Sequence, residues 1–190
     1  MVTRDEEKEG LVGWAGPFSQ ELVVVRMQDI ALSANGAQIV MVSSQHENFP
    51  ANNMIDGKLN TFWSTTGLYP QSFVLALPNI TTVENITFYS YNVKRLTTEK
   101  SSESEPMEFK PYAEIDLQAT DGSLQKVTFG NERNEARYLR FIIETGHDHF
   151  CAVYKVQVKS RLSYTTSSSL TRNILQPLFL AQIPVWGCAS

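Results

Sequence analysis

The chain is short of cysteine, of clustered basic residues and of long apolar runs, and each shortage removes a class of protein. Its 190 residues include two cysteines, Cys151 and Cys188. Two thiols so placed make no disulfide framework, and the sequence fits a reducing compartment. With 16 Lys and Arg against 20 Asp and Glu, the formal net charge is −4. A nucleic-acid groove would show gathered Lys and Arg, and none gather here. No stretch approaches the roughly twenty apolar residues that a membrane-crossing helix needs. Residues 1–9 are acidic with no apolar run behind them, so no secretory leader is expected. Glycine-rich phosphate loops, a Ser/His/Asp grouping in a nucleophile context and paired-carboxylate motifs are missing as well, which argues against an enzyme.

What the chain does have is a series of short apolar or alternating bursts: residues 30–32, 37–42, 72–77, 84–91, 114–119, 125–129, 136–144 and 152–158. Within 85–91, period-two spacing sends Ile86, Phe88 and Ser90 to one face and Thr87, Tyr89 and Tyr91 to the other. About eight short strands with no amphipathic helix predict an all-β sandwich, most simply a jelly roll. Residues 97–106, charged and serine-rich, read as a mobile loop between strands.

The ends lack this pattern. Residues 1–26 combine an acidic run with Gly10, Gly13, Gly16 and Pro17, predicting a flexible extension in which only 22–25 could form a strand. After Lys159 the alternation fades into a Ser/Thr-rich stretch and an apolar segment broken by Pro177 and Pro184. Residues 160–190 are therefore expected to be a disordered or non-native tail, with a short docking peptide as the alternative. That leaves residues 27–159 as the domain, and Met27 could serve as an alternative start. Two glycosylation sequons, at Asn79 and Asn85, read as accidental without an export signal.

The stretch on which the domain is organised is 53–64. Asp56-Gly57 is a turn dipeptide, because the aspartate tolerates a bent backbone and the glycine accepts positive φ. Thr61 brings a hydroxyl and a carbonyl toward the same side as the Asp56 carboxylate, an all-oxygen set that suits a hard cation. Phe62 and Trp63 supply apolar bulk to anchor the loop, and Trp63 is expected to be buried. His147-Asp148-His149 invites a metal reading, but the only other histidine is His46 and a zinc site wants a third or fourth ligand. A loop with solvated or backbone-bonded histidines is the simpler expectation.

The pattern Asn53-x-x-Asp56-Gly57-x-x-x-Thr61-x-Trp63 resembles the first calcium loop of discoidin-like (factor V/VIII C-type, galactose-binding-like) jelly-roll domains. Its continuation, Ser64-Thr65-Thr66-Gly67-Leu68-Tyr69-Pro70-Gln71-Ser72-Phe73, is similar to the small discoidin-like subunits of the intraflagellar transport complex. So is Tyr138-Leu139-Arg140-Phe141-Ile142-Ile143 followed by Asp148-His149-Phe150. The likeness covers residues 27–159. It implies a weak, structural calcium site formed by the Asp56 carboxylate, the Thr61 hydroxyl or carbonyl and the Asn53 backbone carbonyl. The sequence departs from that pattern at Lys155, where many discoidin domains place a glutamate, and a cation there competes with calcium.

In function, the resemblance implies a non-catalytic subunit of intraflagellar transport complex B. It would form a heterodimer with a Rab-like small GTPase and contact other complex B subunits, without binding nucleic acid or inserting in a membrane. The cilium or flagellum and basal body, with a cytoplasmic pool, are the expected location. Tyr89 and Tyr91 are candidates for the GTPase contact. The alternative is a module that holds a carbohydrate or lipid headgroup at its loop end. A small heat-shock chaperone would carry an α-crystallin-like strand pattern and a terminal Ile-x-Ile, and neither is present.

Overall fold

The structure is a computed structural model that describes residues 10–12, 22–130 and 134–166. The chain divides into two compact units, Met27–Leu162 and a second made of Met1–Arg26 with Ser163–Ser190. In the second unit, β1 (Gly10–Val12) pairs antiparallel with residues 23–25 of β2 (Leu22–Asp29). Most of the expected terminal extensions, including the apolar segment 174–186, lies outside the described residues.

The unit Met27–Leu162 is a two-sheet antiparallel β-sandwich. Along the chain come β3 (Gln38–Val42), β4 (Trp63–Ser64), β5 (Gln71–Val83), β6 (Asn85–Tyr91), β7 (Val93–Ser101), β8 (Lys110–Asp116), β9 (Gln125–Phe129), β10 (Asn134–Gly146) and β11 (Ala152–Thr166). One sheet has the order β3-β5-β10-β7-β8. In the other, β2, β11, β6 and β9 lie in that order and β4 pairs with β11. Neighbours far apart in sequence with few hairpins are the jelly-roll arrangement, and the predicted fold class holds.

The core lies between the sheets and is aromatic at its centre. Phe141 of β10 stands beside its cross-strand partner Phe73 of β5, their rings stacked at 4.8 Å. Phe88 of β6 reaches from the opposite sheet to stack on Phe141 at 5.9 Å. Trp63 meets the edge of Phe73 at 5.6 Å and 71°. All four side chains are fully buried. The β6 alternation falls as its sequence suggests, with Ile86, Phe88 and Ser90 inside while Tyr89 and Tyr91 are half-buried on the outer face.

Three segments depart from the sequence reading, each for a local reason. Residues 30–32 are not a strand: the Asp29 carboxylate takes the Ala31 N–H at 3.1 Å and Asn35 Nδ2 donates to the Asp29 carbonyl at 2.7 Å. These bonds wrap the chain into a 3-10 turn at Ser33–Asn35, and Ile30 and Ala31 are apolar because they are buried. Residues 97–101, expected in a loop, belong to β7, which lies between β10 and β8. Their charges disguise a half-buried strand, since Val93, Leu96 and Thr98 face inward, Ser101 is buried on the outer face beside Tyr138, and Glu99 pairs with Arg140 across that face. Finally, β11 continues past Lys159 to Thr166. Apolar alternation ends there because Ser160, buried, is satisfied by a polar partner, Thr81 Oγ1 at 2.9 Å.

Trp63→Ala removes the edge contact that closes this core, and denaturant unfolding of the full chain should show a loss of about 3–5 kcal/mol, as for other large-to-small aromatic core changes. A loss below about 1 kcal/mol would mean that the core does not depend on the indole.

Candidate functional site

The Asp56 loop hangs from a short 3-10 turn, Ala51–Ile55, whose Ala51, Met54 and Ile55 are buried. Gln45 Oε1 accepts the Ala51 N–H at 3.1 Å, and the Asn53 N–H returns to the Pro50 carbonyl at 3.1 Å. The chain then reverses at Asp56-Gly57, where Gly57 has φ +83°. A side chain there would enter left-handed backbone and meet Leu32 Cδ2 at 3.2 Å. Asp56 Oδ1 accepts the Lys58 N–H at 2.8 Å and Oδ2 accepts the Thr61 hydroxyl at 2.7 Å. The base of the loop is closed by Asn53 Nδ2, which donates to the Phe62 carbonyl at 2.9 Å. Trp63 follows at once, its indole N–H bonded to the Ser44 carbonyl at 2.9 Å. Phe62 stacks on Phe49 at 4.4 Å and tilts against Tyr154 at 5.0 Å.

Thus Asp56 and Thr61 are brought together, while the Asn53 side chain is turned to Phe62 and only its carbonyl is left for the role expected of it. Asn53 and Asp56 also line an open groove of about 550 Å³ with Asn52, Ser33, Gly36 and Gln38. The donors available to a cation are one carboxylate, one hydroxyl and backbone carbonyls. That set has the oxygen chemistry of calcium but carries a single negative charge, against the six to eight oxygens calcium takes. Among the described residues no group of three or more His, Cys, Asp and Glu could hold a metal.

Lys155 stands on β11 opposite Tyr89, and its charge acts on Asp29. Asp29 is a structural residue that sequence reading missed; its only signal is a lone acid directly before Ile30-Ala31. Its Oδ1 accepts both the Ala31 and the Val158 N–H groups at 3.1 Å, joining the start of the domain to β11. Burial holds its carboxyl above the usual value of 3.8, although those two bonds, Lys155 and Gln157 pull it down.

The histidine loop serves the backbone. His147 Nε2 donates to the Leu117 carbonyl at 2.9 Å, and Asp148 Oδ1 accepts the His149 N–H at 2.7 Å. Tyr69 OH donates to the Asp148 carbonyl at 3.0 Å. Behind it Cys151 is fully buried, its N–H donating to Thr65 Oγ1 at 3.0 Å. Burial raises the Cys151 thiol above its ordinary range, against the pull of Thr65 and Tyr69, so the thiolate needed for nucleophilic work is disfavoured. Burial likewise raises the Tyr69 hydroxyl.

Thr61→Val keeps the shape and deletes the hydroxyl that Asp56 accepts; the melting curve should report a loss of about 1 kcal/mol. Asp29 has a raised folded-state pKa, so its ionisation opposes folding above that pKa, and the penalty is relieved as pH falls toward the unfolded value of 3.8. Measured against Asp29→Asn, the wild-type chain should therefore gain relative stability as pH is lowered through that window. A constant difference would contradict the burial described here.

Residues 38–156 match the F5/8 type C domain family. The chain is 37% identical over 144 residues to the Intraflagellar transport protein 25 homolog of Homo sapiens, covering 76% of this chain and 100% of that protein. It is 42% identical over 132 residues to Intraflagellar transport protein 25 of Chlamydomonas reinhardtii, covering 70% of this chain and 69% of that protein. Among solved structures, the family 32 CBM from C. perfringens NanJ in complex with galactose matches with a TM-score of 0.59 at 19% identity, covering 70% of this chain and 99% of that one. That last likeness concerns the fold. With its F5/8 type C domain and its extended identity to both relatives, the chain belongs to the intraflagellar transport protein 25 family.

Proposed function

We propose that the chain is a non-catalytic subunit of intraflagellar transport complex B, paired with a Rab-like small GTPase and working at the cilium or flagellum and its basal body, with a cytoplasmic pool. The observation that carries this reading is the 37% identity to the human Intraflagellar transport protein 25 homolog, which extends over that protein's whole length. The site geometry is compatible with it, because the side chains of Asn53, Asp56, His147 and Asp148 are engaged in holding backbone. Tyr89 and Tyr91 remain the proposed contact; Lys126 Nζ lies 5.4 Å from the Tyr89 ring, giving that outer face a cationic and aromatic character. Co-expression of the full chain with the GTPase, followed by size-exclusion chromatography, tests the pairing. A single co-eluting species is expected. Separate elution at micromolar concentration with both proteins folded would overturn it and favour a loop-end carbohydrate or lipid-headgroup module.

The same reading includes weak structural calcium at Asp56, Thr61 and the Asn53 carbonyl. Calcium would add charge neutralisation to a loop that already closes on itself, so binding should stiffen it only modestly. Melting curves with and without millimolar calcium should show a small upward shift that follows ligand concentration and disappears in Asp56→Ala. No shift in the wild type would remove calcium from the proposal.

A further inference from the structure

Between β7 and β8 the chain crosses the outer face of its sheet as a strap, residues 102–109. Leu139, Phe141 and Ile143 of β10 point into the core, so the alternating Tyr138 and Arg140 point outward beneath the strap. Four contacts latch it down. Ser101 Oγ donates to the Met107 carbonyl at 2.6 Å, and Ser102 Oγ donates to the Glu135 carbonyl at 3.0 Å. Tyr138 OH donates to the Ser104 carbonyl at 2.9 Å, and the Arg140 guanidinium lies 4.3 Å from the Phe109 ring. In consequence Tyr138 is only 8% exposed although it faces away from the core.

The strap reads Ser102-Glu103-Ser104-Glu105, and all four residues are exposed. We propose that Ser102 is a phosphorylation site for an acid-directed protein kinase and that its modification unlatches the strap. A kinase whose substrate groove is lined with Lys and Arg selects acids downstream of the acceptor hydroxyl, because those charges would otherwise face the basic groove unpaired. Ser102 has acids one and three residues on, Glu103 and Glu105. Ser104 has Glu105 next to it but Met107 three residues on, and Ser101 is buried with its hydroxyl committed to the turn. In the transfer, Ser102 Oγ forms a bond to the γ-phosphorus of ATP, the bond from that phosphorus to the β,γ-bridging oxygen breaks, ADP leaves, and the hydroxyl proton passes to the kinase's base.

The modified oxygen has no hydrogen left to donate, so the bond to the Glu135 carbonyl is lost and phosphate oxygens face a carbonyl oxygen. The surrounding charge offers little compensation. Glu99, Glu103, Glu105, Glu108 and Glu135 occupy the strap and the strands around it, against Lys100, Lys110, Arg137 and Arg140. Of the bases, Arg140 is paired with Glu99 and Lys100 Nζ donates to Asn134 at 2.6 Å. A phosphate of nearly two negative charges is repelled there. Release of the strap uncovers Tyr138 and Phe109, an aromatic surface controlled by phosphorylation.

The test incubates the purified full chain with an acid-directed kinase and magnesium ATP, and maps phosphate by mass spectrometry. One phosphate is expected on Ser102; it is lost in Ser102→Ala and kept in Ser104→Ala. Glu105→Gln leaves the hydroxyl in place on an exposed strap and should slow incorporation about tenfold, the worth of one charge-assisted contact. Hydrogen exchange across residues 102–109 should rise in the phosphorylated chain and stay low in the unmodified one. No incorporation, equal incorporation into folded Ser102→Ala, or an unaltered rate in Glu105→Gln would overturn the site. Unchanged exchange after stoichiometric phosphorylation would overturn the unlatching.

Discussion

The structure depends on the stacking of Phe141 between Phe73, its neighbour in the same sheet, and Phe88, which comes from the other. Besides the chain crossovers, the layers of a sandwich are joined by side chains across the gap, and here three rings and the Trp63 indole form the centre of that contact. Burial of rings of this size dominates the energetics of a small core. The same contact fixes the functional loop. Trp63 is the residue at which the Asp56 loop ends and the core begins, and buried Met54 and Ile55 hold its other end, so the loop is fastened to the core on both sides.

The loop's own hydrogen bonds add to that anchoring. Asp56 has its hydrogen bonds from Lys58 and Thr61, and Asn53 ties the loop entrance to its exit at Phe62. In such a geometry an ion would act on a site already ordered by packing. Lys155 acts electrostatically on Asp29, whose partly buried carboxylate fastens the chain before Ile30 to β11.

The sequence disclosed the inner faces of β6, β9 and β11 because apolar residues alternate there, and it disclosed the Asp56 turn because Asp-Gly followed by Thr-x-Trp is chemically distinctive. It did not disclose β7, whose inward Thr98 and the run Glu99-Lys100-Ser101 imitate a loop. A strand between two others can be polar when its charges find partners on the outer face, as Glu99 does with Arg140, and local composition carries no trace of that partner. The same limit hid Asp29. Its meaning rests on the Val158 N–H, 129 positions away in sequence. At the candidate site, proximity of Asp56 and Thr61 was legible, but the turning of the Asn53 amide toward Phe62 was not, since it depends on where the loop's two ends meet.

The order of strands also has a consequence for how the protein comes into being. β5 and β7 are both bordered by β10, and β6 by β11, so each sheet has its central partner supplied from the last third of the domain. Loop closure over such separations must precede the contacts that reward it. On the ribosome the pairs β3–β5, β7–β8 and β6–β9 can form first, and each sheet is completed only when β10 and β11 have emerged. In that interval their apolar faces and strand edges are uncovered, the condition in which a nascent chain aggregates most readily.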